Sequence, residues 1–326
     1  MASGGRLDEA AVIDRFRQRL RDASVLCGIG DDAAVLRYAG PLAATCDVLV
    51  EGTHFKPGTN PYYLGRKALA VNLSDLAAMG AAPKHALVAL TLPRADAAWL
   101  ARFAKGLLAV AAEHGVSVVG GDVTGGRTLS ISITALGAAP KRPLYHSGAK
   151  PGDDLWVSGE IGKAAWEWES KAKPGPRSAL HNPRPQVELG QFLAGVAAAA
   201  VDLSDGLAKG IAVLAKASGC GFAVDAAAVP FHPKMAGDAV SRRRALTFGE
   251  DYQLLFAARP KQRAAIAAYG RRTGLALSRI GSAEGKASFV LDEGKKISIQ
   301  RLTKETYDHF KKSRSEITIG SDMHGG

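Results

Sequence analysis

Residues 71–80 read VNLSDLAAMG and residues 201–210 read VDLSDGLAKG. Both carry Asn or Asp, then Leu-Ser-Asp, four further residues and Gly, with Asp75 answering to Asp205. In each copy the polar Leu-Ser-Asp joins an apolar run to a run of helical spacing. Ser is a good helix N-cap, and an Asp in the first turn suits the helix dipole. The echo predicts a carboxylate-bearing strand-to-helix turn, duplicated in two α/β halves.

Working outward, apolar spacing predicts helices over 9–21, 63–79 and 95–114, with β-like runs at 41–49, 86–92, 116–119 and 129–138. This alternation predicts an α/β or α+β domain over residues 1–138. Residues 139–154, APKRPLYHSGAKPGDD, read as a boundary. A second α/β unit, residues 149–326, is expected to hold strands at 155–158, 201–203, 253–257 and 288–291. The stretch 166–185 contains Pro174, Pro176, Pro183 and Pro185 and reads as a loop or lid.

Composition narrows the class. The 326 residues are 47% hydrophobic and 22% charged, which suits a globular core and argues against disorder. No run approaches the roughly 20 apolar residues of a membrane span, and the polar start gives no sign of a secretory signal. Cys27, Cys46 and Cys220 are far apart and form no CxxC pair, as expected of reduced thiols in a cytoplasmic protein. The net charge of +11 raises nucleic acid as a partner, yet the basic residues form short islands with no interleaved aromatics. The expectation is therefore no nucleic-acid partner and no membrane.

The aspartates carry the chemistry. Five segments set Asp beside Gly, Ser or Thr at expected strand ends: 28–32 (GIGDD), 45–47 (TCD), 73–75 (LSD), 120–122 (GGD) and 202–206 (DLSDG). One such Asp is ordinarily a cap or a solvated group. As a set, in so basic a chain, they call for a cationic partner. Mg²⁺ fits, because it takes few protein carboxylates and shares its shell with phosphates. Gly28, Gly30, Gly120, Gly121 and Gly206 let backbone N–H groups approach phosphate oxygens. A Walker loop, a protein-kinase motif set, a full dinucleotide fingerprint, a G-x-S-x-G elbow and HExxH are all missing from the sequence. Phosphoryl transfer to a phosphate oxygen fits this inventory. Its nucleophile is already ionised, and the obstacle is repulsion between anions. The residues thus predict a Mg²⁺-dependent kinase moving a phosphoryl group from ATP to a phosphate ester.

Eight ordered segments resemble the thiamine-monophosphate kinase family, of the wider aminoimidazole-ribonucleotide-synthetase-like superfamily. They are GIGDDAAV (28–35), EGTHF (51–55) after a strand ending in Asp47, AVNLSDLAAMGA (70–81), GGD, SGAKPGD (147–153), VDLSDGL (201–207), GEDYQLLF (249–256) and YDHF (307–310). The resemblance implies ATP-dependent conversion of thiamine monophosphate to thiamine diphosphate by direct transfer, assisted by several Mg²⁺ ions. It implies a two-domain synthetase-like fold. The N-terminal, ATP- and Mg-binding halves of a homodimer would pair into a shared β-barrel beside a C-terminal α/β sandwich. Magnesium positions fall on Asp32, Thr45, Cys46, Asp47, Asp75, Asp122, Asp202 and Asp205, with Asp75, Asp122 and Asp205 carrying catalysis. ATP falls near His114, Gly121, Asp122, His146 and Ser204, and thiamine phosphate near His54, Glu250 and Phe310. Read without the resemblance, His54 is a turn histidine, Glu250 a loop acid and Phe310 an anchor for a C-terminal helix.

The chain also departs from the family pattern. His114 stands where a Tyr is usual, His146 where an Arg is usual, and Cys46 where a hydroxyl residue is usual. Residues 182–186, NPRPQ, are a reduced form of an RPxPR element. A paralogous kinase or ligase for another phosphorylated metabolite, and a catalytically weak nucleotide-binding homologue, stay open at this point.

Overall fold

Asn60 and Asp96 cap the two helices that organise the first half. Asn60 accepts from the Tyr62 N–H and Asp96 from the Trp99 N–H. The computed structural model describes residues 7–17, 22–30 and 32–307. Its first half runs α1 (Glu9–Asp14), β1 (Val25–Cys27), β2 (Val35–Leu36), β3 (Leu42–Val50), α2 (Pro61–Ala78), β4 (Ala82–Leu92), α3 (Ala97–Glu113), β5 (Ser117–Gly125) and β6 (Ser130–Ala138). The expected helix over 9–21 is shorter among the described residues, closing at Asp14, and 18–21 lie outside them.

Strands β3, β6, β4 and β5 form one sheet in that order, antiparallel except for the parallel β4–β5 pair. Alternation along β3 and β6 sends one set of side chains, among them Leu49, Ile131 and Ile133, into the core beneath α2 and α3. The opposite face leaves Leu42 and Val48 exposed. Helices α2 and α3 cross at two glycines. A Cβ on Gly65 would meet the Phe103 carbonyl oxygen at 2.1 Å, and one on Gly106 the Tyr62 carbonyl oxygen at 1.9 Å.

The second half runs β7 (Asp154–Ser158), α4 (Lys163–Glu169), α5 (Val187–Leu193), β8 (Ala199–Asp202), α6 (Leu207–Ser218), β9 (Phe222–Asp225), α7 (Ala239–Phe248), β10 (Leu254–Ala258), α8 (Arg263–Thr273), β11 (Leu277–Ala283), β12 (Phe289–Asp292), β13 (Lys295–Ser298) and α9 (Ile299–Leu302). Its seven-stranded sheet has the order β13-β12-β9-β11-β7-β10-β8, with β9–β12 its one parallel pair. Strands β7 and β10 are buried at every position, as strands covered on both faces must be. The architecture is mixed α/β in two sheeted parts. Among the described residues, no helix is long and apolar enough to cross a membrane.

One expectation needs correction. The stretch 166–185 is not loop throughout, because its first four residues complete α4. Nor does the segment after it hang free. Buried Glu167 accepts from the Ser178 hydroxyl at 2.7 Å and the Leu180 N–H at 2.9 Å, so the helix itself anchors the segment.

Candidate active site

Helix α2 is the wall against which the carboxylates gather. Asn72, Ser74 and Asp75 lie in its last two turns. Asn72 Oδ1 accepts the Asp47 N–H of β3 at 3.0 Å, and Ser74 Oγ donates to Asp202 Oδ2 of β8 at 2.8 Å. Thr45 Oγ1 donates to Asp75 Oδ2 at 2.5 Å. The two sheets are thus joined through one helix, and Asp47, Asp75, Asp202 and Asp205 share one recess.

Burial and neighbouring carboxylates push carboxyls of the recess up. The Asp47 carboxyl is pushed up to about 6, first by burial and then by Asp75, Glu250 and Asp205. Asp202, buried, is pushed up to about 7 by burial and by Asp75 and Asp47. Burial raises Asp75 too, against the Thr45 hydrogen bond and the nearby His146 ring. Lys209 Nζ lies 2.6 Å from Asp205 Oδ2, one turn along α6.

The Leu-Ser-Asp echo proves to be one of sequence and not of shape. Residues 72–75 sit inside α2, so Asp75 caps nothing, whereas 203–206 form a true strand-to-helix connection from β8 to α6. Ser204 does not cap α6, whose N-terminal position is Gly206 with no side-chain bond. Its hydroxyl donates to Asp202 Oδ1 at 3.4 Å. A helix side chain and a loop side chain reach the same recess by different routes.

Residues 249–252 lie across this second turn. Glu250 N–H donates to the Ser204 carbonyl at 2.8 Å and Tyr252 N–H to the Leu203 carbonyl at 3.2 Å. Gly249, Glu250 and Tyr252 have φ of 88°, 63° and 48°, a left-handed run that is costly for the two non-glycine residues. Glu250 thereby faces a cavity of about 490 Å³, lined also by Asp47, His54, Ser204 and Asp205. The neighbouring Asp251 turns away, accepting the Gly162 N–H at 2.8 Å and the Ala164 N–H at 3.3 Å at the start of α4. Its role is to cap a helix that has no cap of its own.

His54 Nδ1 accepts the Val50 N–H at 3.0 Å, which leaves the neutral ring's proton on Nε2. Trp168 and Phe248 close the far end of the cavity with centroids 6.2 Å apart. Each ring has a cation near it, Lys56 at 4.3 Å from the first centroid and Arg244 at 4.7 Å from the second. No sequence signal singled out Trp168, Phe248 or Lys67. An isolated aromatic or lysine carries no motif, and each gains its meaning only from what folds against it.

The remaining positions are not gathered within this chain. Asp122 is exposed on β5, two strands beyond β6, on the sheet face opposite Asp47. Cys46 shares that outer face, with Sγ 3.5 Å from Ser132 Oγ. Gly121 is demanded by strand packing, since a Cβ there would meet the Val88 carbonyl oxygen at 1.9 Å. His114 closes α3, and its charged neighbours are Glu113, Glu188 and Arg66, none of them in the recess. Asp32 is exposed near β1 and β2. Phe310 lies outside the described residues.

Among the described residues, no three His, Cys, Asp or Glu side chains already close around one ion-sized point. The donors that do gather are carboxylate oxygens, Asp202 buried and the others partly so; Asp75 pushes up Asp47 and Asp202, and Asp47 pushes up Asp202. That donor set suits a hard divalent cation completing its shell with phosphate oxygens.

The sequence matches the family described as AIR synthase related protein, its N-terminal domain over residues 30–139 and its C-terminal domain over 150–293. The thiamine-monophosphate kinase of Salmonella typhimurium is 38% identical across 93% of this chain and 98% of its own length. That of Haemophilus influenzae is 35% identical across 94% and 99%. The crystal structure of thiamine-monophosphate kinase from Stenotrophomonas maltophilia K279a superposes with TM-score 0.79 at 37% identity, covering 88% of this chain and 96% of that one. AaThiL complexed with AMPPCP and TMP gives 0.71 at 31%, covering 86% and 92%.

Proposed function

This chain belongs to the thiamine-monophosphate kinases of the AIR synthase related family, and on that premise we propose that its acidic recess is the site of phosphoryl transfer. The reaction is ATP-dependent phosphorylation of thiamine monophosphate to thiamine diphosphate. The observation that carries the assignment to this recess is the meeting of Asp47 and Asp75 from one half with Asp202 and Asp205 from the other.

Asp47, Asp75, Asp202 and Asp205 would hold Mg²⁺, with the Thr45 hydroxyl beside them. The metal supplies charge neutralisation between the anionic donor and the anionic acceptor. The chain's own residues do the positioning. Ser204 and His146 border the carboxylates on the nucleotide side, His54 Nε2–H and Glu250 face the acceptor cavity, and Trp168 and Phe248 receive its ring system. No general base is required, because the attacking phosphate oxygen is already ionised.

We further assign residues 1–138 to nucleotide binding and dimerisation and 149–326 to closing the recess. In a homodimer the open face of the β3-β6-β4-β5 sheet pairs with a second copy to close a barrel. Leu42 and Val48 lie on that face, and so do Cys46 and Asp122, which would then approach the partner's nucleotide site. Three cysteines without a disulfide suit the cytoplasm. The test is ADP release by purified protein in millimolar Mg²⁺ over a panel of phosphate esters. Thiamine monophosphate is expected to exceed the others in kcat/KM by at least tenfold, and equal efficiencies overturn the assignment.

A further inference from the structure

We propose that Lys67 is the positioning residue for substrate: it holds Glu250 in place, occupying one carboxylate oxygen so that the other accepts a hydrogen bond from the aminopyrimidine end of thiamine monophosphate. The inference rests on the function assigned above and goes beyond it, to a residue of α2 that carries no motif.

Lys67 is only 4% exposed, a burial that lysine tolerates only with a partner. That partner is Glu250, whose Oε2 accepts from Lys67 Nζ. The pair joins two segments far apart in sequence, the middle of α2 and the segment 249–252, in which Gly249, Glu250 and Tyr252 have positive φ. Such a backbone persists only where its surroundings over-determine it, and here two things do. Backbone bonds tie 250 and 252 to Ser204 and Leu203, and the buried ammonium takes the side chain.

Two cavities meet at this pair. Glu250 lines the one that contains Asp47 and Asp205, and Lys67 lines a neighbour of about 450 Å³ that contains His181 and Glu167. His54, Trp168 and Leu180 border both. Glu250 therefore stands in the cavity that holds the phosphate-transfer carboxylates, and the aromatic rings mark where a heterocycle lies. A carboxylate is an acceptor only, so it selects a donor such as a ring amino group, and a bare phosphate ester offers none. Fixing the acceptor before binding spares the ordering cost that a free glutamate would add.

The test compares Lys67→Met, Lys67→Arg, Glu250→Gln and the Lys67→Met/Glu250→Gln double variant. Affinity for thiamine monophosphate and for ATP is measured by calorimetry, alongside steady-state KM and kcat. The double variant also guards against misfolding, since it leaves no lone buried charge. Lys67→Met is expected to weaken thiamine monophosphate 10- to 100-fold and to leave ATP within about twofold, with part of the loss recovered by Lys67→Arg. Because Lys67 acts through Glu250, the double variant is expected to be no worse than Glu250→Gln alone. Lys67→Met with wild-type affinity for thiamine monophosphate overturns the inference and leaves the function standing. Equal losses for both ligands, or additive losses in the double variant, overturn it as well. A wild-type protein that does not bind thiamine monophosphate overturns the function and this inference together.

Discussion

At the scale of single residues, the proposed chemistry rests on a set of carboxylates in which burial and neighbouring negative charge push Asp47 and Asp202 up. Asp75→Asn and Asp205→Asn are each expected to lower kcat by at least 10³-fold, a loss of about 4 kcal/mol of transition-state stabilisation, with melting temperatures within a few degrees of wild type. The place of Asp75 in the last turn of α2, and not at its start, sharpens this, because no N-terminal cap is lost with its charge. Near wild-type kcat in either variant would remove that aspartate from the mechanism. Asp202 makes a separate prediction. Its carboxyl titrates at about 7 in the fold against an ordinary 3.8, so the folded chain keeps a proton that the unfolded chain has already released. Stability from this group is intact below about pH 4 and is lost as pH rises through about 7. In the absence of divalent cations, Asp202→Asn should melt several degrees higher than wild type at pH 8 and no higher at pH 4. Added Mg²⁺ should stabilise the wild type far more than the variant. Identical pH profiles in calorimetry would show that Asp202 carries no such strain. Asp47, Asp75, Asp202 and Asp205, which the fold brings together, stood out in the sequence beside Gly, Ser or Thr, whereas Asp32 and Asp122 of the same set lie elsewhere. Lys67 did not stand out, since a lysine among apolar helix residues looks like a solvated one until its partner comes 183 positions later.

At the scale of elements, sequence patterns located α2, α3, the strands of the first sheet and β7, β8, β10 and β12 of the second to within a few residues, apart from the far end of β5. The second Leu-Ser-Asp turn marked the start of α6, whereas α4, α5 and α7 to α9 went unread. The reason is physical. Helices α4 and α5 have seven residues each and α9 four, too few turns for a period to show. The Leu-Ser-Asp echo misled for a related reason. Four residues suit the interior of one helix and the start of another equally well, and only the sheet contacts decide. Where α2 and α3 cross, the backbones touch at Gly106. Gly106→Ala has no side-chain atom to bend aside, since its Cβ would meet the Tyr62 carbonyl. A loss on the order of 2 kcal/mol or more is expected, read as a drop of at least 4 °C in melting temperature. An unchanged melting temperature would mean that the two helices slide apart freely.

At the scale of the whole molecule, the outer face of the first sheet leaves Leu42 and Val48 exposed, and the proposed dimer would cover it. Light scattering at micromolar concentration is expected to give about twice the chain mass of 34.0 kDa. Leu42→Asp is expected to shift the protein toward monomer and to weaken ATP binding with it, since Asp122 and Gly121 lie on or beside that face. A monomeric wild type would end the barrel proposal. Helix α2 has a different consequence for the molecule. Most of its residues are buried, from Leu64 to Ala78, because it packs on α3 and α5 and bonds to strands of both sheets. It has almost no weather side, so nothing about it can loosen without opening both halves at once. Its amide protons should therefore be among the last to exchange with heavy water. A fragment cut between 139 and 149 should come out of the cell as an insoluble torso, its central helix stripped of half its neighbours.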